Sequence, residues 1–172
     1  MARGKKASES EVTMTELVLP NDTNTLNNLM GGRLLHLMDV ASAISAQKHS
    51  NRIVVTASVD NVSFRAPIAL GNVVTLRSKV TRSFKSSMEV YIEVTAEDIP
   101  AKKKLVSNSA FYTFVAVDQG GRPIDVPELI PETEKDQELY DGALRRRQLR
   151  LVLAKRMNPE DATELKSLFN GE

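Results

Sequence analysis

The chain has 172 residues, 41% of them hydrophobic and 26% charged, which suits one compact domain or one domain with an appendage. Lys and Arg number 23 against 22 Asp and Glu, and the resulting net charge of +1 argues against nucleic acid or a membrane surface as a partner held by bulk charge. The lack of cysteine excludes disulfides, thiolate metal sites and a cysteine nucleophile; His36 and His49 leave little for a histidine-based site, so no metal is expected.

Residues 1–10 are polar, lack a signal peptide's apolar stretch, and read as a disordered tail. No apolar run approaches the roughly 20 residues of a membrane helix, so a cytoplasmic location is the simplest expectation. Val12, Met14, Leu17 and Leu19 predict a strand over 11–19 that stops at Pro20. A polar loop carrying Asn24, Asn27 and Asn28 leads to Gly31-Gly32, and residues 33–48 then predict a helix, being rich in Leu, Met and Ala without Pro or Gly. Apolar side chains cover nearly its whole circumference, the pattern of a buried helix. Strands follow over 53–64, 73–81, 88–96 and 105–117. In the second, Val74, Leu76, Ser78 and Val80 share a face; in the third, Val90, Ile92 and Val94 face inward and Glu89, Tyr91, Glu93 and Thr95 outward.

These elements predict an α+β fold, an antiparallel sheet wrapped around a central helix, over residues 11–127. The sheet's other face needs cover, which points to oligomerisation. Residues 128–172 form a helical extension. Within it, residues 128–141 carry a net charge of −5 and residues 142–159 a net of +6. Thr133 is the expected N-cap of a helix running to Met157, with acids at its start and bases toward its end; Asn158 and Pro159 then open a short second helix.

Asp39 is the first chemical candidate, because a carboxylate on an apolar helix is expensive. Its bland reading is a pair with His36, three residues away. The functional reading rests on its neighbours. Backbone N–H groups of Gly31-Gly32 at the positive end of the helix could hold an oxyanion, and Asn24, Asn27 and Asn28 could orient a water or a carbonyl. A base two turns inside a helix and an oxyanion site at its start are the parts needed to hydrolyse an acyl bond. Neither a G-x-S-x-G elbow nor a P-loop competes. Arg146, Arg147 and Arg150 fall on one helical stripe, with Arg145 beside them. They are either a solvated face or a phosphate clamp. The turn Lys85-Ser86-Ser87 is a second candidate contact for a phosphate or a pantetheine arm.

The blocks 19–24 (LPNDTN), 31–39 (GGRLLHLMD), 55–64 (VTASVDNVSF), 67–71 (PIALG), 79–90 (KVTRSFKSSMEV), 110–117 (AFYTFVAV) and 121–123 (GRP), in this order and spacing, resemble the hotdog-fold acyl-CoA thioesterases. The basic segment at Arg146, Arg147 and Arg150 resembles the helix that follows the hotdog in the cytosolic acyl-CoA hydrolases. The resemblance implies a hotdog whose central helix carries Asp39 as general base or nucleophile. Asn24 would act from across a dimer seam, and N–H groups around Gly32 would polarise the thioester carbonyl. It further implies contacts to CoA from Ala57, Ser58, Val59, Ser86, Ser87, Met88 and the basic helix, Arg146 and Arg147 included, with Arg147 meeting a nucleotide phosphate. Eukaryotic relatives often carry two hotdogs on one chain. This chain has one and keeps both Asn24 and Asp39, so a homodimer would hold two equivalent sites, and such dimers are expected to assemble as a trimer of dimers. Asn28-Leu29-Met30 departs from the Gly and the aromatic or His common in relatives, which bears on the acyl pocket.

The expected function is therefore hydrolysis of acyl-CoA to CoA and a carboxylic acid, with CoA as a substrate moiety and no cofactor. The alternatives are a hotdog hydratase or dehydratase, which would need a His36–Asp39 pair, and a CoA- or nucleotide-binding regulatory module without catalysis.

Overall fold

The computed structural model describes residues 4–171. Its elements are β1 (Lys5–Lys6), β2 (Val12–Leu17), α1 (Gly31–Ser50), β3 (Ile53–Asp60), β4 (Val73–Ser83), β5 (Ser87–Asp98), β6 (Lys103–Val117), β7 (Leu129–Ile130), α2 (Glu134–Leu153) and α3 (Thr163–Asn170). The chain divides between Ile130 and Pro131 into two compact units. Among the described residues no helix is long and apolar enough to cross a membrane.

In the first unit one antiparallel sheet runs in the order β2-β4-β5-β6-β3, and α1 packs against all five strands. This is the hotdog architecture that the resemblance implies. The alternation works as expected: Val74, Leu76, Ser78, Val80, Val90, Ile92 and Val94 are all buried. Facing them, α1 buries Leu34, Leu37, Met38, Ala41, Ser42, Ser45 and Ala46. The helix is not buried all round, however, since Ile44 remains 39% exposed. It ends at Asn51, which adopts the left-handed conformation that stops a helix.

Four expectations need correction. Residues 5–10 are not a disordered tail. β1 pairs in parallel with β7, and residues 7–10 form a 3₁₀ turn. Ser10 is buried there, its hydroxyl accepting the Val80 N–H at 3.0 Å and donating to the Ala7 carbonyl at 2.7 Å. A polar residue is thereby tied in, because the β2–β4 ladder ends at the Val12–Ser78 pair and the Ser10 side chain takes up the Val80 amide beyond it. Residues 1–3 lie outside the described part. The hotdog unit also continues past 127, for Leu129 is buried and donates its N–H to Ser83 Oγ at 2.9 Å. Glu89, expected on an exposed face, is buried, with the Thr81 hydroxyl donating to its carboxylate at 2.6 Å.

The fourth correction lies in the second unit. α2 begins at the Thr133 cap as expected but ends at Leu153 rather than Met157, where Lys155 turns left-handed and the Arg156 N–H reaches back to the Leu151 carbonyl. Pro159–Asp161 is a single 3₁₀ turn, and α3 follows separately.

Candidate functional site

Asp39 lies half-buried on the third turn of α1 and accepts a hydrogen bond from Thr56 Oγ1 on β3 at 2.7 Å. Strand register makes this possible. Ile53 to Thr56 pair without a break with Val117 to Phe114, so Thr56 stands opposite Phe114, on the face of β6 that packs on the helix. The register shifts only after it, between Thr56 and Ser58, leaving Ala57 as the extra residue. From the same face Tyr112 donates its hydroxyl to the Leu35 carbonyl at 3.1 Å. Burial, and then the Asp39 charge, push the Tyr112 hydroxyl up to about 12, so it keeps its proton at neutral pH. His36 is exposed, and among the described residues no ion pair or hydrogen bond joins it to Asp39. The pair a hydratase would need is not formed.

The N-terminal end of α1 forms the second half. Asn24 Oδ1 accepts from the N–H groups of Leu26 at 2.9 Å and Asn28 at 3.2 Å, a turn that fixes its carbonyl end and leaves its amide N–H groups to donate elsewhere. Arg33 Nε meets Asp22 Oδ1 at 2.9 Å, tying this loop to the helix start. The helix begins at Gly31 itself, so the glycines are its first turn rather than its approach. Met30 supplies no side-chain cap, and the first intrahelical bond is Leu34 N–H to the Met30 carbonyl. The N–H groups of Gly31, Gly32 and Arg33 precede it, pointing along the positive end of the dipole.

A cleft of about 320 Å³ opens here. Asn24, Asn28 and Gly31 line it on the polar side, and Leu34, Phe64 and Ile68 on the apolar side. Gly31, not Gly32, lines it. A Cβ on Gly31 would come 3.3 Å from the Phe64 ring, whereas one on Gly32 would meet nothing.

The remaining candidates divide. Ala57, Ser58 and Val59 lie on β3, an edge strand, with Ala57 and Val59 exposed. Ser86 and Ser87 sit at the β4–β5 turn, where their carbonyls accept from Ala116 and Phe84 at 2.8 Å and their side chains are half-buried. Met88 is 0% exposed, so its side chain belongs to the core and cannot touch a ligand. In the second unit Arg146 folds back along α2, donating to the Leu139 carbonyl at 2.6 Å across Gly142. Arg147 instead clusters with Arg150 and Arg156. Burial first, and then these two charges, lower its guanidinium from the usual value.

The structure therefore joins Asp39 to Thr56 and, separately, Asn24 to Gly31. Along α1, Gly31 and Asp39 are eight residues apart, about 12 Å of helix, and Asp39 does not line the cleft. Sequence reasoning missed Thr56, which pairing opposite Phe114 sets on the helix side, and Arg156, which it placed inside a helix. It also missed Tyr112, whose hydroxyl looked like one more aromatic in an alternating strand.

The profile of the thioesterase superfamily matches residues 26–102. An uncharacterised acyl-CoA thioester hydrolase of Bacillus subtilis, YkhA, is 42% identical over 80% of this chain and 80% of its own. The crystal structure of an apo-hexameric acyl-CoA thioesterase superposes with a TM-score of 0.86 at 37% identity, covering 88% of this chain and 97% of the other. An acyl-CoA hydrolase from Staphylococcus aureus, solved with butyryl-CoA and CoA, gives 0.81 at 35% identity over 88% and 94%. That enzyme has also been solved with alanine replacing an aspartate, an asparagine and a threonine. Mammalian relatives are longer; the chain spans 26% of mouse acyl-coenzyme A thioesterase 11.

Proposed function

This chain belongs to the thioesterase superfamily, among the acyl-CoA thioester hydrolases, and we propose that it hydrolyses acyl-CoA at sites shared between two copies of itself. The observation that carries the reading is the Asp39 carboxylate, held by Thr56 beside the edge strand β3 and on the same helix as an uncapped N-terminus. Asp39, Asn24 and Thr56 are also the three residue types replaced in the Staphylococcus enzyme.

In the proposed reaction Asp39 takes a proton from water, and the water oxygen attacks the thioester carbonyl carbon. Negative charge gathers on the carbonyl oxygen, where the N–H groups of Gly31 and Gly32 receive it, as donors preorganised for the transition state. Asn24 donates from its amide to the water or the carbonyl. The tetrahedral species collapses by breaking the C–S bond; CoA leaves as a thiolate and takes the proton that Asp39 had removed from water, and the acyl group leaves as a carboxylic acid. On this reading water and a carboxylate suffice, and no metal or redox cofactor enters.

Two features support a seam between copies. The Asn24 cleft lacks Asp39, so each chain carries both halves of the constellation but holds them apart. β3 leaves one side without a strand partner and exposes Ile53, Val55 and Val59, an edge suited to pairing with a second β3. Further assembly into a trimer of dimers would follow the hexameric neighbour. CoA would then lie along Ala57, Ser58 and Val59 and the Ser86-Ser87 turn. Its nucleotide phosphate would meet Arg147, with Arg146 held to its own helix.

Asp39→Ala tests the reading. Thiol release over short, medium and long acyl-CoAs is expected to fall by more than about a thousandfold, while CoA binding by calorimetry stays within about threefold of wild type. Near-normal turnover in Asp39→Ala would sink the assignment. A wild type that binds CoA yet releases no thiol from any chain length would favour a regulatory module.

A further inference from the structure

Thr56 and Tyr112 reach the same turn of α1 from neighbouring strands, and they hold it in different ways. Thr56 Oγ1 bonds the Asp39 carboxylate. Tyr112 Oη donates to the carbonyl of Leu35, which in an α-helix is the carbonyl that takes the N–H of residue 39. A carbonyl has two lone pairs and accommodates both donors. One strand therefore grips the side chain of Asp39 and the next strand grips the peptide that carries it. The register makes them a pair: Thr56 stands opposite Phe114, and Tyr112 lies two residues along β6, on the same inward face.

Packing alone would not select a hydroxyl here. Tyr112 is 1% exposed, and its ring stacks on that of Phe114 with centroids 6.1 Å apart and planes 14° from parallel. A phenylalanine would fill the same volume and bury no polar group. We propose that Tyr112 is a positioning residue for Asp39, locking the rotation of the α1 turn so that the carboxylate stays on the Thr56 hydroxyl and faces the thioester. The proposal rests on the thioesterase reading above. Tyr112 transfers no proton: its hydroxyl hydrogen is committed to the Leu35 carbonyl. Displacement of a reacting group by a fraction of an ångström is costly in rate without altering the binding of distant substrate parts, so the signature is kinetic.

The test uses the full chain, with thiol release measured on the acyl-CoA that wild type turns over fastest. Tyr112→Phe is expected to lower kcat about tenfold and to leave KM within about twofold, with an unchanged melting temperature or a small drop. Thr56→Val should lower kcat as well. The double variant should fall no more than about twofold below the worse single one, because both act on the same carboxylate. Phe114→Leu, which trims the stacked ring and spares the hydrogen bond, should keep kcat within about threefold. The proposal is overturned if Tyr112→Phe matches wild-type kcat, if the two losses multiply independently, or if Phe114→Leu reproduces the loss. A wild type that releases no thiol from any acyl-CoA removes the thioesterase reading and this role together, which is distinct from an active wild type indifferent to Tyr112.

Discussion

α1 and α2 are both 20 residues long, yet they begin in opposite ways. α2 opens with a reciprocal cap. The Asp136 N–H donates to Thr133 Oγ1 at 3.1 Å, and Asp136 Oδ2 accepts from the N–H groups of Thr133 at 3.1 Å and Glu132 at 3.2 Å. Glu134 and Asp136 add negative charge to its first turn. α1 opens on Met30, Gly31 and Gly32, with no side-chain cap and no acid in its first turn. A missing cap costs about 1 kcal/mol of helix stability, and α1 carries that cost at an end that borders the cleft. The difference teaches where to look for a ligand. α2 satisfies the N–H groups of Thr133 and Asp136 with its own side chains, whereas α1 has no side-chain cap, and the proposed function assigns its open N–H groups to an oxyanion.

Substitutions can break or sharpen this contrast. After the loss expected of Asp39→Ala, the next largest effect should come from Gly31→Ala. Its Cβ would press on the Phe64 ring at 3.3 Å, narrowing the cleft beside the open N–H groups. kcat/KM should drop about tenfold, and unchanged kinetics would mean that the thioester does not bind at this helix end. On α2 the effects should move from chemistry to binding and then to stability alone. Arg147→Ala is expected to raise KM for acyl-CoA about fivefold with kcat nearly constant, because a phosphate contact remote from the thioester holds ground and transition states alike. Equal wild-type KM values for acyl-CoA and for an acyl-pantetheine lacking the nucleotide would refute the contact. Thr133→Ala should lower unfolding free energy by about 1 kcal/mol in a urea titration and leave kcat untouched; a change in kcat would show that the α2 cap reaches the active site.

Asp39 was legible because its signal is local: a carboxylate inside a run of Leu, Met and Ala stands out whatever surrounds it. Asn24 and the glycine pair were legible in the same way, as amide and turn chemistry just before a helix. Thr56 was not, since it occupies one of several Thr and Ser positions in a β-rich stretch, and only its pairing opposite Phe114 decides which side of the sheet it faces. Residues 5–10 read as a tail because lysine and serine carry no apolar pattern. They are held by backbone pairing to β7 and by the Ser10 hydroxyl on the Val80 N–H of β4, partners about 70 to 125 residues away along the chain. The Arg stripe was visible as charge, but Arg146 leaves it to bond the Leu139 carbonyl and Arg156 enters it after the helix has ended.

What the sequence by itself determined is the class of elements and which carboxylate stands out as a candidate. Periods of two and of about 3.6 residues and cap residues such as Thr133 are read within a few residues of the chain, and a charge at an apolar position is conspicuous without a partner. What only the tertiary structure decided is which polar groups meet. It set Thr56 and Tyr112 on one turn of α1, gave Asp39 a hydroxyl partner rather than His36, and buried Met88 in the core. The physical reason is register. A one-residue shift in a strand turns a side chain to the other face, and that shift is set by pairing between strands far apart in sequence.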